Sequence, residues 1–150
     1  MAQRTPEGMA VDVAVDEEVL AVWKKFRTKQ KTTSAMIMKL NKEGSKIVLD
    51  ELMEDTTCED VAEELPESVP RYLIFSYRLE RDDDVGRITF PLAFVYYMPE
   101  NCNDRQRMLY SRPTKLLSDT LGLSKIFSCV DAEDLTSEWL QKEILSTKTR

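Results

Sequence analysis

A chain of 150 residues, 42% hydrophobic and 32% charged, is long enough to bury one real core and too short for two. Its net charge of -6 argues against wholesale nucleic-acid binding, which needs a dominant basic face. The absence of histidine removes Ser-His and Cys-His catalysis together with the commonest zinc ligand.

The first ten residues carry Pro6 and Gly8 without an apolar period, so residues 1–10 read as a flexible leader and residues 11–150 as a single domain. Val11, Val13, Ala14 and Val15 are interrupted by Asp12 and Asp16, which is not the pattern of a signal-peptide core. Asp16, Glu17 and Glu18 open a helix whose far end carries Lys24, Lys25, Arg27 and Lys29, both matched to the helix dipole. Val19, Val22, Trp23 and Phe26 recur at helical spacing as one buried stripe, over about four turns. The five cations from Lys24 to Lys31 are an exposed helix end or, alternatively, a face for anionic lipid or acidic protein.

Ala35 to Leu40 and Lys46 to Leu49 read as a hairpin around Asn41 to Ser45, where Gly44 supplies the turn. From Asp50 to Glu67 the charged residues are all acidic: a solvated face or a patch for a basic partner. Within it Thr57 caps a short helix through Leu65 that Pro66 ends. Tyr72 to Leu79 and Arg87 to Tyr97 are the strongest strand signals, joined by the charged loop Glu80 to Gly86. The run from Phe90 to Met98 suits a central strand, with a bulge or edge at Pro91, which has no amide hydrogen. The longest apolar run, Pro91 to Met98, falls far short of the roughly 20 residues that span a bilayer.

Asn103 or Asp104 caps a helical segment containing Met108, Leu109, Leu116, Leu117 and Leu121; Pro113 kinks or restarts it and Gly122 ends it. Lys125 to Val130 is a last short strand, and Asp134, Thr136 or Ser137 starts a terminal helix with Trp139, Leu140 and Ile144 inward. The order predicts an α+β fold, a mixed α/β sandwich with helices packed on a central mixed sheet. Cys58, Cys102 and Cys129 are odd in number and far apart, so they read as reduced thiols rather than disulfides or a paired-cysteine zinc site. Four scattered glycines make no phosphate-cradling loop, and the carboxylates lie in surface-like runs. These features predict a binding protein, not an enzyme, with no catalytic residue, no metal and no cofactor.

Specific residues carry a resemblance. Leu65 to Pro99, LPESVPRYLIFSYRLERDDDVGRITFPLAFVYYMP, resembles the glia maturation factor pattern: LPE, then PR with an aromatic, an SY strand end, an acidic loop, GR, an aromatic followed by PL, and an aromatic-rich strand. Lys25-Phe26-Arg27 is similar to the KFR of that family's first helix, and Met108-Leu109-Tyr110 to the opening of its long helix. Glu133-Asp134-Leu135 and Glu138-Trp139-Leu140 resemble the EDL and EWL of its last helix. The family's A-G-S-K run is replaced by Ser111-Arg112-Pro113-Thr114, so Thr114 stands at the lysine position with Arg112 and Lys115 nearby.

The resemblance implies the ADF-homology fold and a cytoplasmic regulator of the cortical actin cytoskeleton. The implied partner is the actin-related protein 2/3 complex, with filament subunits at branch junctions beside it, and no nucleic acid or membrane span. Binding would inhibit branched actin nucleation and promote filament debranching by a monomeric protein. The rival within the superfamily is a cofilin-like protein that binds actin monomers and severs or depolymerises filaments. A secreted signalling factor is opposed by the lack of a signal segment. The implied long-helix surface for the actin-like subunit is Met108, Leu109, Tyr110, Arg112 and Lys115, though Leu109 and Tyr110 serve equally well as core. The implied second surface, loop plus C-terminal helix, is Arg81, Asp82, Asp83, Asp84 and Arg87 with Glu138, Lys142 and Glu143.

Overall fold

Strict alternation along three strands decides the architecture. On β2 (Ser34–Leu40), Ala35 and Ile37 enter one core while Met36, Met38 and Leu40 enter another. On β4 (Arg71–Ser76), Leu73 and Phe75 oppose Tyr72 and Ile74 in the same way, and on β7 (Leu92–Tyr97) Ala93, Val95 and Tyr97 oppose Phe94 and Tyr96. Both faces are apolar, so both must be covered by helices. The computed structural model describes residues 13–28, 31–80 and 86–148.

The covering helices come from five segments. α1 (Glu17–Phe26), α3 (Asp104–Ser111) and α4 (Thr114–Leu121) cover one face, and α2 (Cys58–Glu63) and α5 (Ser137–Lys148) cover the other. The six-stranded sheet has the order β1-β3-β2-β4-β7-β8, with β1 (Ala14–Val15), β3 (Lys46–Met53) and β8 (Ile126–Cys129) completing it. Its four middle strands are antiparallel neighbours, whereas β1 runs parallel to β3 and β8 parallel to β7. A separate ladder joins β5 (Leu79–Glu80) to β6 (Ile88–Thr89). This is the expected α+β layering.

Several predicted signals sit where the sequence puts them. Val19, Trp23 and Phe26 are buried under α1, and the Thr57 hydroxyl accepts the Asp60 amide at 3.0 Å to start α2. The Asn103 side chain accepts the Gln106 amide at 2.8 Å at the start of α3. Pro113 separates α3 from α4, and Gly122 closes α4 with φ +72°, a conformation that costs any other L-residue about 1 kcal/mol or more. The Thr136 hydroxyl caps α5 by accepting the Trp139 amide at 3.0 Å.

Other boundaries differ from expectation. α1 has 10 residues, fewer than four turns; Arg27 forms its C-cap and Lys29 lies outside the described residues. β1 was not anticipated, being two residues held by Lys46 and Ile47. β3 runs through Asp50 and Glu51 to Met53, because a bulge at Asp50 carries the strand past its charged residue: Met38 faces Leu49 while Ile37 faces Glu51. Asp50 instead meets Arg71 at 3.0 Å and Lys39 at 3.6 Å. α2 ends at Glu63, short of Leu65.

Each of the two long strands is broken in two. The Tyr77 amide still reaches the Pro91 carbonyl at 3.0 Å, but Pro91 has no amide to return. The next amide, of Arg78, donates to the Thr33 hydroxyl at 3.0 Å, and the ladder stops. Residues 1–10 and 81–85, including the expected leader and most of the charged loop, lie outside the described residues.

Candidate functional site

The α3–α4 segment is fixed to the sheet by its inner face. Tyr110 is 4% exposed and lies against Tyr72, ring centroids 5.5 Å apart, which in turn stacks on Tyr96 at 5.7 Å. Two hydrogen bonds lock the contact: the Tyr72 hydroxyl donates to the Tyr110 carbonyl at 2.6 Å, and the Leu40 amide donates to the Tyr110 hydroxyl at 3.1 Å. Burial pushes the Tyr72 phenol upward, so it remains a protonated donor. Arg107 ties down the preceding turn by donating to the carbonyls of Glu100 and Cys102 at 3.1 and 3.2 Å. Leu109 is half-buried over the β2–β3 turn, its Cδ2 3.9 Å from where a Cβ on Gly44 would stand.

Pro113 interrupts the helical ladder, and local side chains satisfy the groups around the break. The Ser111 hydroxyl donates to the Arg107 carbonyl at 2.6 Å and the Thr114 hydroxyl to the Ser111 carbonyl at 2.9 Å. Leu117 and Leu121 then anchor α4. The outward face carries Met108, 57% exposed, with Arg112 and Lys115. Lys115 Nζ lies 3.3 Å from Asp119 Oδ2 one turn on, an exposed pair.

Of the five long-helix residues, the structure brings Met108, Arg112 and Lys115 onto one solvent face. Tyr110 is corrected: it points into the core, roughly 200° around the helix from Met108, and holds the helix rather than meeting a partner. Leu116, named with the other apolar residues of the segment, is 38% exposed on the outward face. Sequence reasoning also passed over Arg105, exposed on the same face. The signal was available in the i, i+3, i+4 spacing of Arg105, Met108, Arg112 and Leu116.

The second surface is assembled only in part. Glu138 and Lys142 lie one turn apart on the solvent side of α5, beside the exposed Val130 and half-buried Trp139; Glu143 is half-buried, about 100° further round than Lys142. Arg87 is exposed next to β6, and Arg81, Asp82, Asp83 and Asp84 lie outside the described residues. The Tyr77 hydroxyl donates to Gln141 Oε1 at 3.0 Å, tying the exit of β4 to α5. The start of α5 is held by Glu59, whose carboxylate accepts the Ser137 amide and hydroxyl, each at 2.9 Å. Those bonds draw the Glu59 carboxyl below its ordinary value.

Lys24, Lys25, Arg27 and Lys31 are exposed around the end of α1, with the Arg27 guanidinium 5.8 Å from the centre of the Trp23 ring. All three cysteines are buried and unpaired; burial pushes the Cys58 thiol up to about 12 and the Cys129 thiol up to about 11. Among the described residues no group of histidine, cysteine or acidic side chains is placed to hold a metal ion, and no helix is long and apolar enough to cross a membrane.

Comparison with known proteins agrees with this geometry. A family described as cofilin/tropomyosin-type actin-binding protein matches residues 12–145. Glia maturation factor beta of Mus musculus is 37% identical over 131 residues, covering 87% of this chain and 91% of its own length. The glia maturation factor of Drosophila melanogaster is 32% identical over 131 residues, covering 87% of this chain and 94% of its own. The solution structure of glia maturation factor from Caenorhabditis elegans aligns with a TM-score of 0.74 at 27% identity, covering 90% of this chain and 99% of that one. The chain belongs to the cofilin/tropomyosin-type actin-binding protein family, as an actin-regulatory protein similar to the glia maturation factors.

Proposed function

We propose that this protein binds the actin-related protein 2/3 complex in the cytoplasm, at the cortical actin cytoskeleton, inhibits branched nucleation and promotes debranching. The observation that carries the reading is the outward face of α3–α4, where an exposed methionine stands among cations on a helix locked to a rigid sheet. Such a face suits a helix-in-groove contact: the apolar side chain enters a cleft and the cations meet acidic rims. Met108, Arg112 and Lys115 make that contact on an actin-like subunit, with Leu109 at its edge. Arg81, Asp82, Asp83, Asp84 and Arg87, with Glu138, Lys142 and Glu143, meet an adjoining filament subunit. Bound protein favours the detached branch through its higher affinity for that state, and no covalent step is involved.

The test is parallel titration of purified monomeric actin and purified actin-related protein 2/3 complex. Tight binding to the complex supports the reading; tight binding to monomers with none to the complex assigns cofilin-like activity instead. Arg112→Glu with Lys115→Glu lowers affinity for the complex by at least about tenfold. Both side chains are exposed, so the melting temperature stays near that of the parent. Unchanged affinity sinks the long-helix assignment.

A further inference from the structure

Arg112 and Lys115 look equivalent in the sequence, and the structure separates them. Lys115 shares the outward face with Asp119, whose carboxylate lies 3.3 Å from its ammonium. An exposed i, i+4 pair of this kind is weak, so it does not immobilise Lys115. Its effect on a partner is different: any acidic group that approaches Lys115 also approaches Asp119, and the two fields partly cancel. Among the described residues, no hydrogen bond or ion pair engages the charged groups of Arg105 or Arg112. Even with the exposed Asp104 in its first turn, α3 with its C-cap keeps a net positive charge from Arg105 and Arg112, whereas on α4 Lys115 is matched by Asp119.

The apolar groups follow a different distribution. Met108 on α3 and Leu116 on α4 are both exposed, while their neighbours Tyr110, Leu117 and Leu121 are buried. They lie on either side of the Pro113 break, one on each helix. Thr114 turns its hydroxyl to the Ser111 carbonyl and adds no charge.

Resting on the docking reading above, we propose that Arg105 and Leu116 are specificity-determining contacts, and that Asp119 opposes binding from within the docking face. The partner surface that fits is an apolar cleft with one pocket for each helix, bordered by carboxylates mainly where it meets α3. This asymmetry fixes the direction in which the helix lies in the cleft, because the reversed pose would set the balanced α4 half, and not the net cationic α3 half, against the acidic rim.

Full-length variants titrated against both monomeric actin and the actin-related protein 2/3 complex test the assignment, with melting curves as a control for folding. Against whichever target the parent binds, Leu116→Asp weakens binding by at least about tenfold, and Arg105→Ala by roughly three- to tenfold with a shallower salt dependence. Lys115→Ala weakens binding, but by less than Arg112→Ala does, because Asp119 already offsets part of its charge, and Asp119→Asn tightens binding by roughly two- to fivefold at low salt. If Lys115→Ala costs as much as Arg112→Ala while Leu116→Asp and Asp119→Asn are neutral, the assignment is overturned and the docking reading stands. If the parent binds neither target, both fall together.

Discussion

Replacing Tyr110 by phenylalanine separates the two roles open to this residue. The substitution keeps the ring against Tyr72 and deletes only the hydroxyl that accepts the buried Leu40 amide at 3.1 Å. That amide is then left buried without its partner, which costs about 1–3 kcal/mol. In a chain of this length each kcal/mol lowers Tm by roughly 2–4 °C, so the variant melts roughly 2–12 °C below the parent. Tyr72→Phe removes the neighbouring bond to the Tyr110 carbonyl, and since both bonds fix the same residue the pair is non-additive by about 0.5–3 kcal/mol. Urea unfolding followed by circular dichroism supplies the free energies, and titration of the partner supplies the affinities. Because the hydroxyl faces β2 and not solvent, affinity of the folded Tyr110→Phe protein stays within about twofold of the parent. A variant that kept full stability but lost binding would refute the reasoning and restore Tyr110 as a contact residue.

Two further outcomes follow from the titrating groups. Glu59 has its carboxyl held below the ordinary value by the Ser137 bonds, so its contribution is complete above that value and is lost as pH falls through the lowered one; Glu59→Gln flattens the acid limb of the stability curve and leaves less pH dependence below about pH 4.5. Cys58 and Cys129, with thiols raised to about 12 and about 11, resist alkylation by iodoacetamide at pH 8 and react only when urea opens the fold; prompt native-state labelling of Cys58 would contradict its burial.

Signals that act through the backbone of a single residue were legible in the sequence. Thr57 and Asn103 start helices, Pro113 breaks one and Gly122 stops one, because each choice depends on local hydrogen bonding or φ alone. The α1 stripe was legible for the same reason, its period being internal to the helix. What failed depended on a neighbour. Asp50 and Glu51 look like loop residues unless Arg71 is known to stand beside them, and β1 exists only because β3 offers an edge. The site divides along the same line. The exposure of Arg112 and Lys115 was legible because charges seldom bury, whereas Tyr110 and Met108 sit two positions apart in one helix and differ only in phase relative to the sheet. That phase is set by Tyr72 and Leu40, both distant in sequence.

The bulge in β3 bears on how this strand tolerates changes in length. Ile47 and Leu49 point to the α1 layer, yet Met53, separated from them by an even number of residues, packs in the α2–α5 layer. The extra residue at Asp50 makes up the difference, leaving every β2–β3 pair on its proper face. Deleting any other single residue between Ile47 and Met53 shifts part of the strand by one and sends its side chains to the wrong side. Deleting Asp50 alone does not: Leu49 still meets Met38 and Glu51 still meets Ile37. Register therefore places no demand on Asp50, and what the chain would lose with it is the carboxylate shared by Lys39 and Arg71.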